Sequence, residues 1–333
     1  MEQSQGENIS MSADMPANPT AAAVHDDRRG AISATLVNLL APVTLAATCL
    51  FWGLGPTSIT ENPTTLLIFS IAIMVWIQGL ELLFERHATW RINLRELATD
   101  VFYVVLLYTA IAWAVVTLAD EPLLSLKGML GISTPWMLDL PFIVQAVLVL
   151  FIIEFGQYWM HRLMHNFYPL WLTHAPHHHL TQLNALKGAV GNPIELFLIS
   201  LSVVALFDFS VPAIFCGLNM LNVISGFAHA NVRSDPPKFY SFFFTTIRHH
   251  SLHHTALSYE DTRCNYANSM IFIDRIFGTY REGESSVVGQ DERKRLSIYE
   301  QFMFPFQPAI DAIKARRTGA ATLSGSGTGG TQE

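Results

Sequence analysis

Four apolar segments, each about the length of a membrane-spanning helix, follow one another in the first half of the chain. A helix that crosses the hydrocarbon core of a bilayer needs about 20 predominantly apolar residues. The segments cover residues 34–54, 64–83, 99–118 and 141–159. A buried helix of a soluble protein would account for one such segment but not for four in series. The sequence therefore predicts an all-α integral membrane protein with four transmembrane helices.

The composition agrees with this class of protein. Of the 333 residues 50% are hydrophobic and only 14% are charged, which is too apolar for an ordinary soluble domain. The net charge of −7 says little about nucleic acid, but no basic recognition motif appears, so nucleic acid is not expected as a partner. The three cysteines form no CxxC or paired pattern, which argues against a disulfide scaffold or a cysteine-based zinc site.

The distribution of polar residues divides the chain into four parts. Residues 1–30 are polar and contain no apolar segment typical of a secretory signal, so they are predicted to form a disordered cytoplasmic arm. Residues 31–160 carry the transmembrane helices, and residues 161–310 carry the histidines described below. Residues 311–333, which end in a Ser-, Gly- and Thr-rich stretch, are predicted to form a disordered tail.

Residues 194–228 are apolar but interrupted by Asp208 and Pro212. This stretch is too long for one span and too short for two full ones. It predicts a helical hairpin, with arms at 195–207 and 211–227, that enters the bilayer only partly. Its turn should pack against protein, because lipid offers no hydrogen-bond partners for the backbone N–H and C=O groups of a turn. Two tilted complete crossings are the alternative, and both arrangements return the chain to its original side.

The basic residues set the orientation, because short cytoplasmic loops carry an excess of Lys and Arg. A topology with the N-terminus inside and four crossings places all 20 Lys and Arg residues except Lys127 on the cytoplasmic side. Residues 231–310 are then predicted to form a cytoplasmic helical cap. The Phe242-Phe243-Phe244 run lies either at the membrane interface or in the core of this cap.

Histidines are concentrated directly after the fourth apolar segment, in groups with defined spacing. The groups read H-x3-H, H-x2-HH, a single histidine and H-x2-HH, and apolar segments separate them. Neutral imidazole is a ligand for iron, zinc, copper and nickel, and residues four apart on a helix share one face. One ion rarely needs more than about six protein ligands, so two ions are predicted. The predicted ligands are His161, His165, His174, His177, His178, His229, His250, His253 and His254.

Two further histidines adjoin these groups. His249 directly precedes the third spaced group and is either a tenth ligand or a neighbour that supports one. His179 follows a complete H-x2-HH and is predicted to be a spectator. Structural zinc is a competing interpretation, but such a site needs only about four ligands. A metal transporter or sensor is the alternative from another class, although its ligands should lie within spanning segments rather than at helix ends.

Ligating histidines usually donate their second N–H to a carboxylate or a carbonyl, so polar residues near the groups are candidate supports. Glu154 lies seven residues before His161 on the same helix face and is predicted to orient a ligand; a helix end at the interface is the alternative. Asp274 is a further candidate, with an ion pair to Arg275 as the alternative. The remaining candidates are Asn184, Glu195, Asn231 and Asp261, whereas Glu81 is interpreted as a helix-end residue near the interface.

Around the histidines, over about residues 97–281, the chain resembles the fatty acid hydroxylase / sterol desaturase superfamily of integral-membrane di-iron enzymes. The matches outside the histidines are Glu154 with Tyr158-Trp159, Asn192-Pro193-Ile194-Glu195, Asn265-Tyr266-Ala267 and Ile273-Asp274-Arg275-Ile276-Phe277-Gly278-Thr279. The chain departs from the family pattern at Ala267, where the family often has Gly, and at Ile273, where it has Trp.

The resemblance implies two non-haem Fe ions held by the histidines, O2 as a co-substrate, and hydroxylation of a lipid on an acyl chain or a headgroup. Desaturation of a lipid, sterol or carotenoid is the alternative within the superfamily, and a scaffold that has lost activity is another. No haem, flavin or NAD signature is visible, so an external electron donor is expected, a ferredoxin or a reductase. The compact form is similar to bacterial lipid hydroxylases, including those that modify ornithine lipids. This implies a bacterial inner-membrane protein with its histidines on the cytoplasmic face.

Overall fold

The computed structural model describes residues 34–256, 258 and 260–325. The described part of the chain is helical and contains no strand, only two isolated β-bridges. The predicted N-terminal arm, residues 1–30, lies outside the described residues, as do residues 326–333. The all-α class predicted from the sequence is confirmed.

Thirteen helices in the described residues are labelled here in chain order. Single turns of helix, such as Thr57–Thr60 and the 3-10 turns Lys187–Ala189 and Val204–Leu206, connect them. The helices are α1 Ala34–Asn38, α2 Leu40–Leu54, α3 Pro63–Leu83, α4 Leu94–Leu130, α5 Phe142–Asn166, α6 Tyr168–His178, α7 Pro193–Ile199, α8 Val211–His229, α9 Lys238–Phe243, α10 Ile247–His253, α11 Phe272–Ile276, α12 Ile298–Met303 and α13 Gln307–Gly325.

Four helices in the described residues are long and apolar enough to cross a membrane, namely α3, α4, α5 and α8. The first three contain most of the predicted segments at 64–83, 99–118 and 141–159. The first predicted segment, 34–54, differs, because a turn at Leu39 divides it into helices of 5 and 15 residues. Pro42 gives the physical reason, since a proline ring clashes with the carbonyl four residues earlier.

The helix α4 is longer than the sequence predicts. It runs for 37 residues and continues through much of the predicted loop 119–140. Its last ten residues, Glu121–Leu130, consist largely of good helix formers, and Gly131 ends the helix in the left-handed conformation with φ 65°. Two π-helical turns, Leu107–Ile111 and Val116–Asp120, interrupt its α-helical geometry.

The apolar stretch 194–228 forms two unequal arms. The first is the short helix α7 followed by irregular chain, whereas the second, α8, is a 19-residue helix that packs against α2, α3 and α5. Asp208 in the turn bonds Lys127 Nζ and the Thr134 backbone N–H, both at 2.5 Å. The turn is thus packed against protein, at the end of α5 remote from its histidines. The second arm has the length of a complete crossing, and the depth of the hairpin stays a prediction.

The loop after α3 lies on the same side of the molecule as the residues that follow α8. Arg86 donates two hydrogen bonds to Glu284, each at 2.6 Å, and one to Asp235 at 3.0 Å. An isolated bridge also pairs Glu85 with Val232. This arrangement agrees with the predicted parity of crossings, which brings the two segments to one end of the helix bundle.

The C-terminal segment differs from the prediction of disorder over residues 311–333. The helix α13 covers Gln307–Gly325, so the first part of the predicted tail is helical. Alanine, lysine and arginine are frequent between residues 309 and 317, and these residues favour helix strongly. The Ser-, Gly- and Thr-rich composition applies only to the residues that come after this stretch.

Candidate metal centre

The nine histidines predicted as ligands converge into two adjacent groups. Within each group, one nitrogen of every ring lies within 4.8 Å of the others. Both groups are buried. The first group, called here site A, consists of His161, His165, His174, His178 and His253. The second, called site B, consists of His177, His229, His250 and His254.

Helix periodicity explains how one sequence cluster serves two sites. Residues four apart share a helix face, so His174 and His178 of α6 both join site A. His177, only three residues from His174, joins site B instead. The second H-x2-HH motif divides the opposite way: His250 and His254 join site B, whereas His253 joins site A. Each H-x2-HH motif therefore contributes to both sites.

Five rings have their outer nitrogen, Nδ1, hydrogen-bonded to an oxygen of the protein. A carbonyl oxygen can only accept, so the Nδ1 atoms that face carbonyls carry the proton and donate. The separations lie between 2.6 and 2.8 Å. The pairs are His161 with Tyr266 O, His174 with Glu195 Oε1, His177 with Val190 O, His229 with Ser225 O, and His253 with Cys264 O.

The inner nitrogens face one another at short range. His161 Nε2 lies 3.0 Å from His253 Nε2 and 2.9 Å from His174 Nε2. In site B, His250 Nε2 lies 2.8 Å from His229 Nε2 and 3.1 Å from His254 Nε2. Nitrogen ligands of one ion, bound at ~2.1 Å and at right angles, lie ~3 Å apart. The spacing of these nitrogens therefore fits a shared metal ion.

The protonation state of the rings supports the same conclusion. Burial lowers the pKa of His174 to about 3 and holds the pKa of His253 and His254 well below the ordinary histidine value. Neighbouring histidines lower the pKa of His253 and His254 further. The rings are therefore neutral, and a neutral ring that donates from Nδ1 has only a lone pair on Nε2. Lone pairs that face each other in a buried site call for a cation between them.

The two sites are in direct contact with each other. The ring of His178 in site A stacks on that of His254 in site B, with centroids 4.4 Å apart. The ring of His177 lies 5.4 Å from that of His174, its neighbour in site A. Two ions held in these sites would be neighbours, as the sequence predicts for a dimetal centre.

The two adjoining histidines lie outside both sites. The Nδ1 atom of His249 lies 3.3 Å from Thr246 Oγ1, in a capping box at the start of α10, and its ring packs 5.6 Å from Tyr280. His249 thus lies at the start of α10 and outside both groups of converging nitrogens. His179 Nδ1 bonds Lys294 O at 3.1 Å, which agrees with its interpretation as a spectator.

Of the predicted supports, Glu195 is the one that touches a ligand ring, through His174. Glu154 bonds no histidine, contrary to expectation; its carboxylate accepts from the backbone N–H groups of Asn268 and Ser269 at 2.7 and 2.9 Å. Asp274 likewise accepts from the N–H of Tyr266 at 2.8 Å. Both carboxylates fix the loop whose Tyr266 carbonyl accepts from His161, and so they act on the ligand indirectly.

The other predicted supports do not contact a ligand ring: they bond loop residues or lie at the surface. Asn184 donates to Asp100 at 2.8 Å, and Asn231 exchanges hydrogen bonds with the backbone of His87. Asp261 lies at the surface and bonds Arg281 at 3.3 Å. The alternative ion pair between Asp274 and Arg275 is absent from the salt bridges of the described residues.

Arg275 instead packs against aromatic rings and donates to the Phe242 carbonyl at 3.1 Å. The guanidinium carbon lies 3.5 Å from the ring centroid of Tyr280 and 4.9 Å from that of Phe242. Such cation–π contacts fix the side chain at the outer surface of α11, away from the buried Asp274 carboxylate.

Two groups of buried polar residues make contacts that the sequence analysis did not predict. Glu81 is buried and accepts from the backbone N–H groups of Ala185 and Asn231 at 2.7 and 2.8 Å, so it holds two loops beside site B. Lys187 is buried and donates to Glu96 and Asp100, both at 2.6 Å. The signal was available, since ionisable residues in apolar segments are costly and have a specific role.

Lys187 begins the single turn that packs against site B. A Cβ atom added at Gly188 would lie only 3.3 Å from the His229 ring, and the carbonyl of Val190 accepts from His177. The turn therefore approaches the imidazole closely, and a side chain at Gly188 would press on the His229 ring. The ion pairs of Lys187 fix this turn to α4 and thereby position two ligands of site B.

These features define a class: an all-α membrane protein with a buried, all-histidine cluster at one end of its helices, whose two groups could each hold a metal ion. Comparison with known proteins is in agreement. The fatty acid hydroxylase family matches residues 146–279. The matched residues include all nine histidines of sites A and B, so this part of the chain is similar to the fatty acid hydroxylases.

Several characterised proteins are similar to this chain. The ornithine lipid hydroxylase of Rhizobium tropici is 30% identical over 217 residues, which cover 60% of this chain and 62% of that protein. A Δ7-sterol-C5(6)-desaturase of Nicotiana tabacum is 32% identical over 43% of this chain and 52% of its own. The human alkylglycerol monooxygenase is 26% identical over 41% of this chain and 30% of its own. The chain thus spans less than two thirds of each of these relatives. No solved structure matches the chain significantly.

Proposed function

We propose that this protein is a membrane-bound, non-haem di-iron oxygenase that hydroxylates a lipid, on an acyl chain or a headgroup. It takes O2 as co-substrate and electrons from an external donor, a ferredoxin or a reductase. The contact that carries the proposal is the 3.0 Å separation of the inner nitrogens of His161 and His253, whose outer nitrogens both donate to backbone carbonyls. Two neutral lone pairs at this distance are stable only around a shared cation.

The protein supplies the ligands and a dry, fixed environment. Site A would hold one iron through five imidazoles and site B the other through four. When bound, such a pair of ions supplies the activation of O2 that breaks an unactivated C–H bond, which side chains alone cannot do. Burial keeps the imidazoles neutral, and the acceptors at Tyr266, Glu195 and Cys264 hold the ring planes of site A. Exclusion of water protects the reaction from side products.

A lipid substrate is supported by the position of the sites and by the relatives. His161 and His165 lie in the last turns of the apolar helix α5, and His229 ends the apolar helix α8. The sites are therefore within reach of a molecule dissolved in the bilayer. The printed names of the relatives include hydroxylation of ornithine lipids, which supports an aminolipid among the candidate substrates of this chain.

Lipid analysis tests the reaction. Cells that express the protein are compared with cells that express the His178→Gln variant, and total lipids are measured by mass spectrometry. A species heavier by one oxygen, absent with the variant, is the expected result. Because His179 is also buried but lies outside both sites, His179→Gln is the matched control and should keep the product. No difference in any lipid class between wild type and His178→Gln would contradict the proposal.

Desaturation is the second candidate, and the similarity to the sterol desaturase supports it. The same mass spectra distinguish the two reactions, because desaturation yields a species lighter by two hydrogens. A histidine-rich metal transporter is the candidate from another class. Purified protein in sealed vesicles would then move iron across the bilayer, whereas the oxygenase retains two irons per chain and consumes O2 only when lipid and reductant are present.

We further propose that the chain lies in a bacterial inner membrane with its metal centre on the cytoplasmic face. The distribution of Lys and Arg supports this orientation, because Lys127 lies beside the turn at Asp208, at the end of the bundle opposite to the histidines. A cysteine introduced at the exposed Lys294 should react with a membrane-impermeant maleimide only after the cells are opened. Labelling of intact cells whose outer membrane has been made permeable would show that the metal centre lies on the opposite face of the inner membrane.

A further inference from the structure

An exposed aromatic face runs along the spanning helix α5 towards the metal centre. Phe151, Phe155 and Trp159 lie four residues apart, share one side of the helix and are 37–42% exposed. Their rings follow one another at 5.7 and 6.4 Å. On a helix that crosses a bilayer, such a face contacts lipid, and a tryptophan at its end marks the boundary with the headgroups.

The aromatic face of α5 continues onto the cap without a gap. The ring of Phe277, directly after α11, lies 5.1 Å from that of Trp159 and 6.1 Å from that of Phe155. Phe277 is exposed, and Ile276 beside it is 58% exposed. A soluble cap would cover these side chains, so their exposure next to a lipid-facing helix indicates a shared apolar environment.

The helix α9 extends the same surface. The rings of Phe242 and Phe243 lie 6.0 and 5.5 Å from that of Phe272 on α11. Phe239 is 77% exposed, whereas Tyr240, the next residue, is buried against the protein. Within the Phe run identified in the sequence, Phe242 is exposed and Phe243 is half-buried, whereas Phe244 packs against the hydrophobic core, so the run has one end at the surface and the other in the core.

Basic side chains accompany the aromatic ones. Arg162 lies over the ring of Trp159 at 5.3 Å, Arg275 lies over that of Phe242 at 4.9 Å, and Lys238 at the start of α9 is exposed. The nearby acidic side chains are engaged, since Asp235 bonds Arg86 and Glu282 accepts from Tyr280. Aromatic rings with cations between them suit the anionic headgroup layer of a membrane.

We propose that α9 and α11 lie in the headgroup layer of the leaflet in which α5 ends, with their exposed aromatic side chains in lipid and Lys238, Arg275 and Arg162 against anionic phospholipid. The continuity of this surface with the lipid-facing side of α5 favours a bilayer over a protein partner. Asp274 on α11 holds the Tyr266 backbone that orients His161, so the membrane contact and the metal centre share one rigid element.

The experiment measures the depth of single spin labels in lipid vesicles. A nitroxide is attached at Phe239→Cys, and separately at Phe242→Cys, in a Cys49→Ser background, because the other two cysteines are buried. Relaxation by oxygen, which concentrates in lipid, is compared with relaxation by a water-soluble nickel chelate. Both labels should be accessible to oxygen and protected from the chelate. A label at Lys294→Cys, exposed on another part of the cap, is the matched control and should show the opposite pattern.

Vesicle composition tests the charge contribution. Protection from the nickel chelate at position 239 should be greater in phosphatidylglycerol than in phosphatidylcholine vesicles, and Lys238→Gln should reduce that difference. Chelate accessibility at positions 239 and 242 equal to that at position 294, in the folded full-length protein, would overturn the proposal. Such a result would exclude contact with the headgroup layer, whether or not the aromatic surface binds a protein partner. Because the labels report depth and not turnover, the result is independent of the proposed hydroxylation.

Discussion

The Nε2 atoms of His161 and His253 lie 3.0 Å apart, although the residues are separated by 92 positions in the chain and belong to different helices. Each ring is held from behind by a backbone carbonyl, that of Tyr266 for His161 and that of Cys264 for His253. These carbonyls belong to the same loop, two residues apart. One short segment therefore fixes the inner nitrogens of two helices at the spacing that a metal ion requires.

Removal of a site A ligand should affect the two ions unequally. His253→Ala is expected to lower the bound iron from two ions per chain to about one and to abolish product formation, because site B keeps its four histidines. Iron analysis of the purified protein, together with lipid mass spectrometry, provides the measurement. His249→Ala, a buried neighbour outside both sites, should keep both irons. Loss of both irons in His249→Ala would show that the tenth histidine is a ligand after all.

The Glu195 carboxylate should act through the ring of His174. Glu195→Ala is expected to weaken metal binding or activity about 10–100-fold, because the imidazole loses the partner that orients it. Glu195→Gln keeps an acceptor oxygen and should lose less. Competition with a chelator of known affinity measures the effect. Equal affinity in wild type and Glu195→Ala would mean that the hydrogen bond does not position the ligand.

Lys187 should contribute strongly to stability because it is buried between Glu96 and Asp100. Lys187→Met leaves Asp100 without its cation, whereas Glu96 keeps Arg295 at 2.7 Å, and removal of one partner from a buried ion pair costs ~3–5 kcal/mol. The melting temperature in detergent should fall, and loss of iron from site B should accompany it. A double variant, Lys187→Met with Asp100→Asn, removes one uncompensated charge and should recover part of the stability. No recovery would show that the cost comes from packing alone.

The Arg86–Glu284 ion pair should make the attachment of the cap sensitive to acid. Burial alone would raise the pKa of Glu284, but hydrogen bonds from Arg86 and His87 outweigh it and lower this pKa to about 2. A carboxylate whose pKa is lower in the folded than in the unfolded state stabilises the fold above its unfolded value, here about 4.5. That contribution decreases as the pH falls from about 5 to about 2.

Thermal unfolding across this pH range measures the contribution of Glu284. The difference in melting temperature between wild type and Glu284→Gln should be largest near neutral pH and should shrink below pH ~4. Glu260→Gln, a change at an exposed ion pair with Arg263, is the matched control and should have little effect at any pH. A difference that stays constant down to the lowest pH would place the origin of the effect elsewhere.

The sequence by itself determined the class of fold and the set of nine converging histidines. Both follow from local rules, because a span needs only a length of apolar residues and a histidine pair needs only helical spacing. The division of each H-x2-HH motif between the two sites was not predicted and emerged only from the structure.

Only the tertiary structure decided which residues support these ligands. Glu154 was predicted to orient a ligand histidine, and it contacts none directly but holds the backbone of Ser269, whereas Glu81, interpreted as a helix end, holds two loops beside site B. The length of α4 and the break at Leu39 were also settled only by the fold. The physical reason is that a carboxylate bonds whichever N–H groups packing brings within about 3 Å, and those groups come from segments more than a hundred residues away.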